Sequence, residues 1–195
     1  MKKSSRTVDR VNSAIRFIGG EDMLDALIEG RAKIQVTLLK HTVDLDKPPN
    51  VPFLNAKAVK HNGGGVVEIE LRSDDNLYVD GKKVILYLSE SQQDNKEVIG
   101  YELLMKLESG ELVLLNSNVL DYIYCHAELF PEHWKKDEYG ETRQIFFWGS
   151  IFQNPLLGYL YVRYLYWGDN NKPYPFYSWL DVEWFRRFPA ASIEC

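Results

Sequence analysis

Sixteen of the 26 aromatic residues in this chain fall between Phe146 and Phe188, and the other ten are scattered over the rest. Tyr, Phe and Trp fit a pleated, half-buried surface, so such a stretch favours strands. Each ring also carries a large apolar area that must be covered by packing or turned toward a ligand. Asn154-Pro155, Gly158 and Gly168-Asp-Asn-Asn punctuate the stretch as turns. The pattern predicts strands over 143–153 and 159–167, a short third strand over 176–180, and a helical turn over 181–188 that ends before Pro189. Together they read as an aromatic-rich antiparallel β-meander.

Strand residues alternate faces, which sorts the rings into two sets. If the connection between the two long strands has an even number of residues, facing positions sum to an odd number. Phe152 then lies opposite Tyr159, and Trp148 opposite Arg163. One face collects Phe146, Trp148, Phe152, Tyr159, Tyr161, Arg163 and Trp167. The other collects Ile145, Phe147, Gly149, Ile151, Leu160, Val162, Tyr164 and Tyr166. The second set is richer in aliphatics and reads as the core face. The first is aromatic with one cation, and it pairs Trp148 with Arg163 as a cation–π contact. Such a stripe is more often packing mass than a ligand platform. Gly149 in mid-strand marks a bulge or the close approach of another group, the bulge being the commoner cause.

The remaining sequence mixes helix and strand signals. Val8, Val11, Ile15 and Ile18 share a helical face, Gly19-Gly20 ends that helix, and a second runs from Glu21 to Gly30. Residues 34–43 and 67–71 read as strands, and Leu77–Val79 and Val84–Leu88 as a hairpin about Asp80-Gly81. Pro48, Pro49 and Pro52 mark an irregular connection. Residues 99–108 read as a helix, as does a segment capped by Asn118 and running to about Ala127. The expected fold class is α+β, with an N-terminal helical hairpin, mixed strands and helices, and the C-terminal meander. One domain over 1–195 accommodates all of it, with 1–33 as a helical appendage.

Composition narrows the function classes. Lys and Arg number 23 against 28 Asp and Glu, a net charge of −5. A nucleic-acid binder needs a basic face to neutralise phosphates. The second N-terminal helix carries Glu21, Asp22, Asp25 and Glu29, which rejects it as a DNA recognition helix. Two cysteines, Cys125 and Cys195, form no disulfide framework. The basic start Met1–Arg6 lacks the apolar segment of a signal peptide, and no run of 18 apolar residues offers a membrane span. The expected location is the cytoplasm.

No catalytic pattern emerges. Cys125, His126 and His133 are metal-capable types, but their spacing matches no zinc motif. Glu68 and Glu70 fall on the solvent side of one strand. Gly63–Gly65 lacks the Lys-Ser/Thr of a phosphate loop, and Asp74, Asp75 and Asp80 miss the calcium-loop spacing. No cofactor and no metal site is expected.

Leu77–Leu88 (LYVDGKKVILYL), Leu115–Asp121 (LNSNVLD), Phe146–Ser150 (FFWGS) and Gly158–Trp167 (GYLYVRYLYW) give the chain a resemblance. From about Asn76 to Ala191 it is similar to a set of bacterial proteins with no assigned activity. The resemblance implies a bacterial origin and one shared unit over 76–191, and it transfers no functional residue.

An aromatic surplus without a catalytic constellation points to a non-catalytic binding or interaction module. It would act through the aromatic face (Phe146, Trp148, Tyr159, Tyr161, Arg163, Trp167) or through the N-terminal hairpin. Its partner would be another protein or a second copy of the chain. Sequence-specific DNA and membranes are not expected partners. Two alternatives remain: an enzyme with a pocket between the aromatic hairpin and the helices, and a weak single-stranded nucleic-acid binder that stacks bases on the rings.

Overall fold

In a computed structural model the described residues are 41–94 and 96–194, all within the second of the two units into which the chain divides, Lys40–Cys195. The helical hairpin expected in 1–33, and most of the strand expected over 34–43, lie outside the described residues. In chain order the elements are β1 (His41–Asp44), β2 (Lys57–His61), β3 (Val66–Leu71), β4 (Leu77–Val79) and β5 (Lys82–Tyr87). Then come α1 (Glu90–Gln93), β6 (Val98–Ile99), α2 (Gly100–Ser109), β7 (Leu112–Leu114) and α3 (Ser117–Cys125). Two 3-10 turns, Ala127–Leu129 and Glu132–Trp134, lead to β8 (Gln144–Gln153), β9 (Leu160–Gly168) and β10 (Lys172–Trp179). β11 (Glu183–Trp184) and β12 (Ala190–Glu194) close the unit.

The expected α+β balance is corrected. The described residues are 42% strand and 19% helical, and form a curled half-barrel sheet with three helices. Ten strands form it, in the order β1-β3-β4-β5-β12-β8-β9-β10, with β2 added to β8 and β7 added to β12. Two segments shift the balance. The proline-rich connection delivers β2, which pairs antiparallel with β8 from Lys57↔Gln153 onward. The helical turn expected over 181–188 is replaced by the short strand β11, paired with β6, and the segment after it, for which no element was expected, forms β12 in the middle of the sheet, antiparallel to β5 and parallel to β8. The meander β8–β9–β10 forms, with its third strand running over Lys172–Trp179 where a short one over 176–180 was expected, and it is one arm of this larger sheet and not a layer of its own.

Helices pack on both faces of the sheet, while the outer face of β1 and β3 is left exposed. Helix α3 packs against β1 as well as β8, β9 and β10, so the sheet curls around it. Its Val119, Leu120 and Ile123 are fully buried against Val67, Ile69, Leu77, Ile145, Phe147 and Leu165. Burying each such side chain contributes about 1.5–3 kcal/mol. On the opposite face α2 packs Leu103 and Leu107 with Phe146, Trp148, Ile151, Val162 and Trp184. Asn116 caps α3: its side chain accepts from the Asn118 and Val119 N–H groups. Asn118, the expected cap, instead donates to the carbonyls of Asp44 and Lys47. The Asp80-Gly81 hairpin forms as the sequence dictates, with φ of 47° and 73° as a type I′ turn requires.

Candidate functional site

The register of β8 against β9 decides which rings share a face. Near the turn, Phe152 faces Tyr161 and Ile151 faces Val162, so facing positions sum to an odd number. At the far end Phe146 faces Tyr164 and Ile145 faces Leu165, and the sum is even. The register shifts between Phe146 and Ile151, and Gly149 lies inside that bulge. Beyond the bulge the β8 side chains change face relative to the sequence-based sorting, while those of β9 keep theirs.

The consequence separates the rings expected to act together. Phe146 and Trp148 sit on the α2 side, wholly buried, with ring centroids 4.2 and 4.8 Å from Trp184. Arg163 sits on the α3 side. It is bound bidentate to Asp121 at 2.9 and 2.6 Å and donates to the Asn50 carbonyl at 3.1 Å. The expected Trp148–Arg163 contact is therefore replaced. The cation–π partner of Trp167 is Lys135, with Nζ 3.8 Å from the ring centroid, and Trp167 also packs on Phe130.

Tyr159 and Tyr161 stay together and gain three partners. Tyr159 opens the approach to β9, and Trp179 closes β10. Their rings are parallel within 4° at 5.9 Å, exposed by 42% and 48%. Tyr161 stands edge-on to Trp179, to Tyr177 and to Phe53. Phe53 comes from the irregular chain before β2. The result is a continuous row of five rings, wet at the Tyr159–Trp179 end and closed at Tyr161. A groove of about 210 Å³ runs beside Tyr177, between Val51, Pro52, Arg163, Pro175 and Phe176. Leu54, Leu156 and Leu157, chain neighbours of this row, are exposed by 88%, 86% and 63%. Extending the alternation to β10 places Tyr177 and Trp179 opposite Arg163 and Tyr161, a signal the sequence contains. Nothing local in the sequence marks Phe53.

The rings themselves carry no charge. Burial, then the neighbouring Tyr177, Tyr159 and Asp181, push the Tyr161 phenol above its ordinary value, so it stays neutral. Arg163 is held by Asp121. The adjoining sheet edge is blunted as well. Leu180 N–H bonds Leu160, so the odd positions of β10 turn their N–H side outward, and Pro173 and Pro175 occupy two of them. Strand addition along that edge would lack those two donors.

A serine–histidine contact exists elsewhere, but it is a fastening. Ser150 Oγ lies 2.7 Å from His61 Nδ1 and accepts from the Ser117 N–H and hydroxyl. Ser150 therefore donates to Nδ1, and His61 Nε2 donates to the Leu45 carbonyl at 2.9 Å. Ser150 is fully buried, and the set ties β2, β8 and the start of α3 together. No helix among the described residues is long and apolar enough to cross a membrane. The chain matches no family model, no curated protein and no solved structure. Fold and face together define a sheet-dominated protein that presents an aromatic platform.

Proposed function

We propose that this protein is a non-catalytic binding module that engages another protein through the platform of Tyr159, Trp179, Tyr161, Tyr177 and Phe53. The observation that carries the reading is the Tyr159–Trp179 pair, parallel and about half exposed, with the exposed Leu156 and Leu157 just before Tyr159 in the chain. Exposed rings beside aliphatic side chains suit a protein hot spot, where Trp and Tyr anchors dominate the energy. A single-stranded nucleic acid would need free cations beside the rings, and Arg163 is already committed to Asp121.

The test replaces Trp179 with a photoreactive benzoylphenylalanine in the full chain. Irradiation in cells should give one discrete protein adduct. Excess wild-type protein should compete it away, and the Tyr159→Ser/Trp179→Ser double variant should not. An adduct of two copies would identify the partner as the chain itself. An adduct removed by nuclease, or competed equally by both proteins, would overturn the reading.

A further inference from the structure

The curl of the sheet brings the start of β1 against the end of α3. His41 opens β1, His126 caps α3, and Glu128 lies in the following 3-10 turn. The His41 and His126 rings meet edge to face at 5.0 Å, and His126 Nδ1 lies 3.1 Å from a Glu128 carboxylate oxygen. One donor atom from each of the three residues lies within 4.8 Å of the others. We propose that His41, His126 and Glu128 bind a divalent first-row transition-metal ion of the zinc class.

The donor set is chemically apt, since two imidazoles and a carboxylate form an ordinary three-ligand zinc shell with a fourth position left for water. Bonds of about 2.0–2.1 Å place tetrahedral donors about 3.4 Å apart. The His126–Glu128 edge already meets that spacing. The wider edges close by rotation of side chains that are half-buried or exposed.

Two further features favour a cation here. Helix α3 ends with no basic residue in its last turn, so a cation held beside its C-cap His126 would face its negative dipole end. Tyr122 orders both imidazoles: its hydroxyl lies 3.2 Å from His41 Nδ1, and its ring stacks on His126 at 4.3 Å. Outer partners of this kind hold metal-binding histidines in place. Of the residues grouped from sequence as metal-capable, only His126 belongs. His133 instead contacts Asp75 at 3.1 Å.

The experiment titrates the full-length protein with Co²⁺, a spectroscopic stand-in for Zn²⁺. Wild type should develop tetrahedral d–d absorption that saturates at one equivalent and is bleached by Zn²⁺. His41→Gln and His126→Gln should each weaken binding at least about tenfold, since outer-partner loss alone costs 10–100-fold. His133→Gln should bind as wild type does. Circular dichroism of each variant checks that it is folded, and Zn²⁺ should raise the melting temperature of wild type but not of His41→Gln. Absent d–d absorption, or binding that survives in the His41→Gln/His126→Gln double variant, would overturn the proposal and leave an ordinary histidine–carboxylate pair.

Discussion

Gly149 shows how one residue governs the sorting of many. Its N–H donates to Leu115, its carbonyl accepts from Asn62, and the connection from β7 to α3 crosses directly over its Cα. A Cβ there would stand 2.5 Å from the Leu114 oxygen and 2.7 Å from the Leu115 carbonyl carbon. Both are backbone atoms, which cannot step aside as a flexible side chain can. Gly149→Ala is therefore expected to cost more than the usual overpacking range, about 3 kcal/mol or above, read as a lowered urea midpoint. A loss under about 1 kcal/mol would show that the crossing is loose. The glycine was legible in the sequence as a bulge or a close approach, and it is both. Its effect on register was not legible, because the crossing segment lies some 35 residues earlier in the chain. Parity therefore holds for Phe152, Tyr161 and Arg163 and fails for Phe146 and Trp148.

Elements with strong local signals formed where the sequence places them. The Asp80-Gly81 hairpin, helix α2 and the two long strands depend on turn chemistry and periodicity within a few residues. β12 had no such signal. Ala190 and Ala191 are weak strand formers, and they are tolerated because this central strand is covered on both faces. β2 was obscured by the prolines that precede it. The 3-10 turn Glu132–Trp134 shows a contact of equally long range. Asp75 accepts from the Glu132 and His133 N–H groups at 2.9 and 3.1 Å. Partial burial pushes the Asp75 carboxyl up, but these bonds and His133 outweigh it and hold it below its ordinary value. A lowered folded value means the carboxylate supports the fold fully above about pH 3.9, and that support fades as pH falls through the lower folded value. Amide exchange should thus show the Glu132 and His133 N–H groups losing protection on that acid limb. Asp75→Asn should abolish the pH dependence. Unchanged dependence in the variant would assign it to another carboxylate.

At the scale of the whole molecule, the curled sheet divides its rings between two fates. Phe146, Trp148 and Trp184 form a closed cluster under α2, where they are packing mass. Tyr159 and Trp179 project where β9 begins and β10 ends, beside the β8–β9 turn, where water reaches both. The aromatic surplus thus serves the core and a surface at once, and only a three-dimensional register tells which ring does which. Of the five tryptophans, Trp134, Trp148 and Trp184 are buried, Trp167 is half-buried, and Trp179 alone is exposed. Iodide quenching of tryptophan fluorescence tests this division most directly. Wild type should show a quenchable component that Trp179→Phe largely removes and Trp148→Phe leaves in place. A quenchable component that persists in Trp179→Phe and disappears in Trp148→Phe would contradict it.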